Sequence, residues 1–168
     1  MTKIGLLSDT HNWLNPKVIK HFEGVDQIWH AGDIGSYQII EQLENIAPVK
    51  AVYGNIDGAE LRRIFPEVME FKTEGVSVLM THIGGYPGKY APIVKQRVYS
   101  NPPKLFICGH SHILKVINDK TLNLLHMNPG AAGKYGFHAV STILRFVIDG
   151  EQIRDLEVIE FNKTIDID

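Results

Sequence analysis

The chain has one cysteine in 168 residues, no apolar run of membrane-spanning length and no surplus of positive charge. A lone thiol excludes an intramolecular disulfide framework. Cys108 ends the apolar run Leu105-Phe106-Ile107, where it reads as a small core residue suited to a reducing, cytoplasmic setting. No stretch approaches the ~18 apolar residues of a membrane helix, and the run up to Leu7 meets Ser8-Asp9 too soon to serve as a secretory h-region. With 17 basic and 19 acidic side chains scattered along the chain, net charge −2, there is no electrostatic footprint for a stable nucleic-acid partner. A nucleotide as substrate is not excluded by that. Internal repeats, low-complexity segments and long linkers are also missing, and 44% hydrophobic with 21% charged residues is the balance of an ordinary globular protein. The expectation is one domain over residues 1–161, long enough to bury a core without staples, followed by a loosely held tail at 162–168. Oligomeric state is left open, a homodimer included.

What is present is a series of short apolar runs that each stop abruptly at polar residues. Lys3 to Leu7 reads as a strand ending in Ser8-Asp9-Thr10-His11, and Asn15-Pro16 as the N-cap and first position of a helix reaching Phe22. Val25 to His30 returns as a strand before Gly32-Asp33. Ser36 then caps a helix carrying Ile39, Ile40, Leu43 and Ile46, and Val49 to Tyr53 is a strand before Gly54-Asn55. This alternation predicts parallel pairing, with the strands' C-terminal ends along one edge, where ligand crevices of open α/β sheets lie.

The second half reads as mostly antiparallel. Val68 to Thr73 and Val76 to Thr81 form a hairpin ending at His82, a glycine-rich loop runs to Tyr90, and Pro92 to Tyr99 is a short helix. Leu105 to Cys108 is a doubly buried strand, and Gly109-His110-Ser111-His112 follows at once. In extended geometry the two imidazoles share a side and address one small volume. Val116 to Asn118 pairs with Leu122 to Met127 before the turn residues Asn128-Pro129-Gly130, and Asp149-Gly150 predicts a type I′ turn between the last two strands.

Asp9, His11, Asp33, Asn55, His82, His110 and His112 thus sit at five strand ends. Carboxylate and amide oxygens mixed with imidazoles suit first-row divalent ions, and seven ligands are too many for one ion. Two ions sharing a carboxylate would keep positions open for water and substrate.

In that order, Ser8-Asp9-Thr10-His11, Gly32-Asp33, Gly54-Asn55, Thr81-His82 and Gly109-His110-Ser111-His112 resemble the five blocks of the calcineurin-like metallophosphoesterases. The small bacterial and archaeal phosphodiesterase branch matches best, with Asn128-Pro129-Gly130 as a further shared segment. The resemblance implies a two-sheet α/β sandwich flanked by helices. It implies a phosphodiesterase for a small or activated phosphodiester, with two divalent ions, Mn2+ first and Ni2+, Fe2+, Co2+ or Zn2+ as alternatives. Asp9, His11 and His112 would hold one ion, Asn55, His82 and His110 the other, and Asp33 would bridge them, with a metal-bridging hydroxide attacking phosphorus. Asp33 and Asn55 are thereby the catalytic candidates. The alternative implied by the same fold is a non-catalytic protein-binding scaffold, like the retromer subunit related to these enzymes.

Three positions depart from the family pattern. Ile56 and then Asp57 follow the metal-binding Asn where a histidine is common, Ile83 follows His82 in place of glycine, and Ala131 follows Asn-Pro-Gly in place of serine. Asp57 reads as a turn residue before Gly58, with the orienting of a ligand imidazole as its alternative role. His30 and His126 are read either as helpers to phosphate and leaving group or as satisfied semi-buried histidines. Tyr86, Lys89 and Tyr90 are candidates to meet a phosphate and a base from the glycine-rich loop, against their bland reading as ordinary loop residues. Trp29 and Phe106 are expected in the core, and His21 and His138 are read as surface or packing residues.

Overall fold

The computed structural model describes residues 1–164. In chain order β1 (Thr2–Leu7), α1 (Pro16–His21), β2 (Gln27–His30), α2 (Tyr37–Glu44), β3 (Val49–Ala51) and α3 (Ala59–Ile64) come first. Next are β4 (Val68–Thr73), β5 (Val76–Thr81), the short pair β6 (Gly85–Tyr86) and β7 (Lys89–Tyr90), and α4 (Pro92–Ser100). The chain closes with β8 (Leu105–Ile107), β9 (Leu114–Asp119), β10 (Leu124–Pro129), β11 (Val140–Asp149) and β12 (Gln152–Asn162). Two five-stranded mixed sheets result, ordered β12-β11-β1-β2-β3 and β4-β5-β8-β10-β9.

The sheets stack because alternate residues on each inner strand are apolar. Ile4 and Leu6 of β1 join Trp29, Val78, Met80, Leu105, Ile107 and Met127 in a buried cluster between the sheets. Their neighbours face the other way: Leu7 and Ile28 pack with Val18, Phe22, Ile40 and Leu43 of α1, α2 and the segment after α1. On the far side Val94 and Val98 of α4 cover Leu79 and Phe106. Each such buried aliphatic or aromatic side chain contributes ~1.5–3 kcal/mol relative to exposure. Trp29 lies edge-on to Phe71 and Phe146, with ring centroids 4.9 and 5.7 Å away, so one indole joins three strands. The chain is the expected two-sheet α/β sandwich flanked by helices.

Parallel pairing of β1 with β2 and β2 with β3, and of β5 with β8 and β8 with β10, brings their C-terminal ends to common edges. Backbone bonds then cross-link the loops beyond the strands. Asp9 N–H donates to Gly32 O at 3.0 Å, His11 N–H to Asp33 O at 3.0 Å, and Gly109 N–H to His82 O at 3.0 Å.

Several boundaries differ from expectation for identifiable reasons. Asn15 caps α1 as predicted, its oxygen accepting from Lys17 N, but the Ser36 hydroxyl donates to Asn12 Oδ1 and does not cap α2. β2 starts at Gln27 because the Asp26 carboxylate accepts from Lys3 N. β3 stops at Ala51, and α3, unforeseen, follows the Asn55 loop. β10 takes in Asn128 and Pro129, so only Gly130, at φ 73°, turns the chain. Asp149 pairs with Gln152, which makes Gly150 and Glu151 the central turn residues; positive φ at Gly150 alone is the pattern of a II′ turn, not I′. Of the expected tail, Asn162 belongs to β12 and its carbonyl accepts from Asn15 Nδ2, and 165–168 lie outside the described residues.

Candidate functional site

Among the described residues nine non-glycine positions have left-handed φ, and five of them are Asp9 (56°), His11 (46°), Asp33 (55°), His110 (68°) and His112 (60°). Such strain concentrates where surrounding structure holds a side chain in a functional direction. It also corrects one expectation. His110 and His112 are not in an extended segment and do not serve one volume; the backbone curls at both, sending them to different groups. Ligand-type atoms of Asp9, His11 and His112 converge within 4.8 Å of one another, and those of Asp33, His82 and His110 form a second such trio.

The two trios touch. Asp33 Oδ2 lies 3.4 Å from His11 Nε2 and 3.2 Å from His82 Nε2, and Asp9 Oδ1 lies 3.1 Å from His112 Nε2 and 3.8 Å from His82 Nε2. Asp9 Oδ1, His11 Nε2 and His82 Nε2 are buried, yet none has a hydrogen-bond partner. Buried polar atoms without partners are costly, so three of them aimed at one spot fit the donor set of a divalent cation. His82 Nδ1–H donates to Ala31 O at 2.8 Å, which leaves the Nε2 lone pair free to ligate. Asn55 is exposed and stands beside Thr81 and His82 along a shallow pocket.

Charge balance in the cluster is set by the two carboxylates. Burial alone would push Asp9 up, but the imidazoles of His11 and His112 outweigh it and hold the carboxyl far below its usual range. Burial likewise opposes ionisation of Asp33, against which His82 and the Ile56 N–H keep it low. Asp9 raises His11; His82 is raised by Asp33 and Asp9 in spite of its burial. His110 is lowered, first by burial and then by His82. Protons and a cation therefore compete for the same imidazoles.

The supporting residues explain why these loops hold their shape. Asp9 Oδ2 accepts from Ser8 Oγ at 2.6 Å and from His110 N at 3.1 Å, which joins one sheet's loop to the other's. The Asn128 amide donates to Gly109 O and Ser111 Oγ and accepts from Gly130 N, so the Asn-Pro-Gly segment fixes the His110–His112 loop. Gly54 is required by close approach: a Cβ there would strike Asp33 Oδ1 and its backbone nitrogen. Asp57 is neither a simple turn residue nor an imidazole partner. Its buried carboxylate accepts from Ile34 N at 3.1 Å, Gly35 N at 2.8 Å and Gly54 N at 2.8 Å, tying the Asp33 loop to the Asn55 loop. Arg62 of α3 adds bonds to Asp57 O (2.6 Å) and Asn55 O (3.2 Å). An Asp two residues after Gly-Asn and just before Gly-Ala was the available signal for this role, and α3 itself carried none.

We expect Asp57→Ala to lower stability by about 2–4 kcal/mol, because three backbone N–H groups lose their acceptor. Metal affinity should fall by about tenfold or more as the loops loosen. Thermal melts with and without divalent metal check both, and an Asp57→Ala protein that melts and binds like the parent would contradict the role.

His30 and His126 are fully enclosed. Gly32 N donates to His30 Nδ1, so Nε2–H donates to Thr10 Oγ1, and burial lowers this imidazole to about 4. His126 Nε2–H donates to Gly85 O at 3.1 Å. Tyr90 is buried with its hydroxyl on Asp119, whereas Tyr86 and Lys89 are exposed. Trp29 and Phe106 are in the core; His138 is exposed and His21 half-buried.

The sequence profile of the calcineurin-like phosphoesterase superfamily domain matches residues 2–151. The chain belongs to that superfamily. A probable metallophosphoesterase of Methanothermobacter thermautotrophicus is 32% identical over 167 residues, covering 93% of this chain and 91% of the relative. Among solved structures, an archaeal phosphodiesterase superposes with TM-score 0.68 at 25% identity, covering 94% of this chain and 99% of its own. Vps29 of Entamoeba histolytica, solved with Zn2+, superposes with TM-score 0.75 at 14% identity, covering 96% and 99%. That last likeness is one of fold alone. Membership of the calcineurin-like phosphoesterases implies divalent metal, and among the described residues the two trios have the donors for it.

Proposed function

We propose that this calcineurin-like phosphoesterase is a metal-dependent phosphodiesterase acting on a small or activated phosphodiester. Asp9, His11 and His112 would hold one divalent ion, His82 and His110 with Asn55 would hold a second, and Asp33 would serve both. The observation that carries the reading is Asp33 Oδ2, within 3.4 Å of an imidazole from each trio. Two such ions would supply an ionised water as nucleophile at neutral pH and polarise the phosphoryl oxygens. The protein's own part is positional. The Ile56 N–H holds Asp33 Oδ1 and so turns Oδ2 inward, and the Ala31 carbonyl fixes the His82 tautomer. Mn2+ is the first candidate metal, and a reducing cytoplasm the setting, which accords with the buried, free Cys108 whose thiol burial pushes up to about 12. Among the described residues no helix is long and apolar enough to cross a membrane.

The scaffold reading is kept because Vps29 shares the fold, and a Vps29 solved with Zn2+ means that metal binding alone does not separate the two. Turnover does. Purified protein with Mn2+ is expected to hydrolyse bis(p-nitrophenyl) phosphate, and excess chelator to slow it by about a hundredfold or more. Stoichiometric metal uptake with no hydrolysis of any diester would leave the scaffold.

A further inference from the structure

Exposed apolar side chains gather on one side of the two trios. Ile83, Tyr86 and Ile113 are 44%, 46% and 51% exposed, and all three line a single cavity of about 290 Å3 that His110 also borders. Solitary exposed apolar residues need no explanation, but three converging on a cavity beside a candidate ligand do. The volume lies at the lower edge of the ~300–1,000 Å3 typical of small-molecule sites, enough for one ring system and its attachment.

The cavity's polar groups are largely committed to the protein. His126 gives Nε2–H to Gly85 O while its buried Nδ1 has no partner, and the Asn128 amide is held by Gly109, Ser111 and Gly130. Lys115 is the charged residue on its lining, with Nζ 4.9 Å from the centroid of the Tyr86 ring. The walls are preformed. Tyr86 stands on the β6–β7 hairpin and Lys115 on β9, and the buried Tyr90 hydroxyl ties these by a 2.6 Å bond to Asp119. A site pre-organised in this way loses little freedom on binding.

We propose that this cavity receives the ring of one alcohol portion of the phosphodiester, a planar heteroaromatic of nucleobase type. The inference rests on the phosphodiesterase reading of the two trios. Sharing His110 with that centre puts the occupant next to the scissile phosphate. Apolar rims at Ile83 and Ile113 and the face of Tyr86 suit a flat ring, and the Lys115 ammonium suits the acceptor atoms on a base's edge. A saturated chain would use the apolar walls and leave Lys115 without an acceptor.

Two measurements test it. In the Zn2+-loaded full chain, thymidine is titrated while the Ile83 and Ile113 methyl NMR signals are followed, with cyclohexanol as the saturated control. With Mn2+, KM is compared for thymidine 5′-p-nitrophenyl phosphate and methyl p-nitrophenyl phosphate, which share a leaving group. Saturable shifts with thymidine alone are expected, together with a KM about tenfold lower for the nucleoside ester. Tyr86→Ala should bring the ratio of the two KM values close to one, and Lys115→Met should reduce it. Thymidine leaving both methyls unmoved while the methyl ester is still hydrolysed overturns the cavity and spares the phosphodiesterase. Cyclohexanol moving the methyls as strongly as thymidine overturns the heteroaromatic assignment. Thymidine binding with neither ester hydrolysed supports the ring site and defeats the phosphodiesterase reading alone.

Discussion

Asp33→Ala is expected to lower metal-stimulated diester hydrolysis by about a thousandfold or more, well beyond the loss in Asn55→Ala. Asp33 Oδ2 faces His11 of one trio and His82 of the other, so its removal weakens both sites and separates their charges. Asn55 is exposed and lines a pocket with His82, and the proposal gives it to one ion alone, so its truncation would delete a single neutral donor. The fold should survive. Asp33→Ala leaves the Ile56 N–H without an acceptor, worth ~1–3 kcal/mol, but it also removes the repulsion between Asp33 and Asp9. Metal stoichiometry, thermal melting and kcat/KM on bis(p-nitrophenyl) phosphate separate these effects. A folded Asp33→Ala protein within tenfold of the parent would remove the bridge from the proposal.

Much of this architecture was legible because each parallel strand of the first half carries its own stop signal. Leu7 meeting Ser8-Asp9, His30 meeting Gly32-Asp33 and Ala51 preceding Gly54-Asn55 mark strand ends, and right-handed connections do the rest. The pairing of β1 with β11, which makes an N-terminal strand central to its sheet, is a long-range contact with no local signature. α3 was invisible for another reason. Its six residues are too short for an apolar period, with Leu61 as the buried position, and its start at Gly58 has no side-chain cap. In the site, residue types were readable but directions were not. The alternation rule places His110 and His112 together only if the strand continues, and φ values of 68° and 60° end it. Asp57 was misjudged because a carboxylate accepting three backbone N–H groups looks, in sequence, like any Asp before a glycine.

The rate of hydrolysis should depend steeply on the leaving group. Ile56 occupies the position where a histidine is common in this superfamily, and its side chain has no proton to give. The three groups nearest in sequence logic are closed off. His30 is fully buried with both nitrogens bonded, the buried Asp57 has its oxygens occupied by three backbone N–H donors, and His126 is buried with Nε2–H on Gly85 O. General-acid help is worth ~100-fold to ~10,000-fold, so without it the departing oxygen leaves largely as the anion and its own pKa governs the rate. Nitrophenyl diesters should therefore be cleaved far faster than alkyl diesters, with a steep slope across a graded phenol series. Phosphomonoesters, with an extra negative charge and an apolar side chain at position 56 in place of an imidazole, should be poorer substrates. Ile56→His tests the cause directly. The backbone bond from residue 56 to Asp33 Oδ1 does not depend on the side chain, and Ile56 is 46% exposed, so an imidazole fits without repacking. That variant should flatten the slope and improve alkyl diesters most, by up to ~100-fold. A shallow slope in the parent protein would mean that some other group already delivers the proton, and an unchanged slope in Ile56→His would mean that position 56 does not face the leaving oxygen.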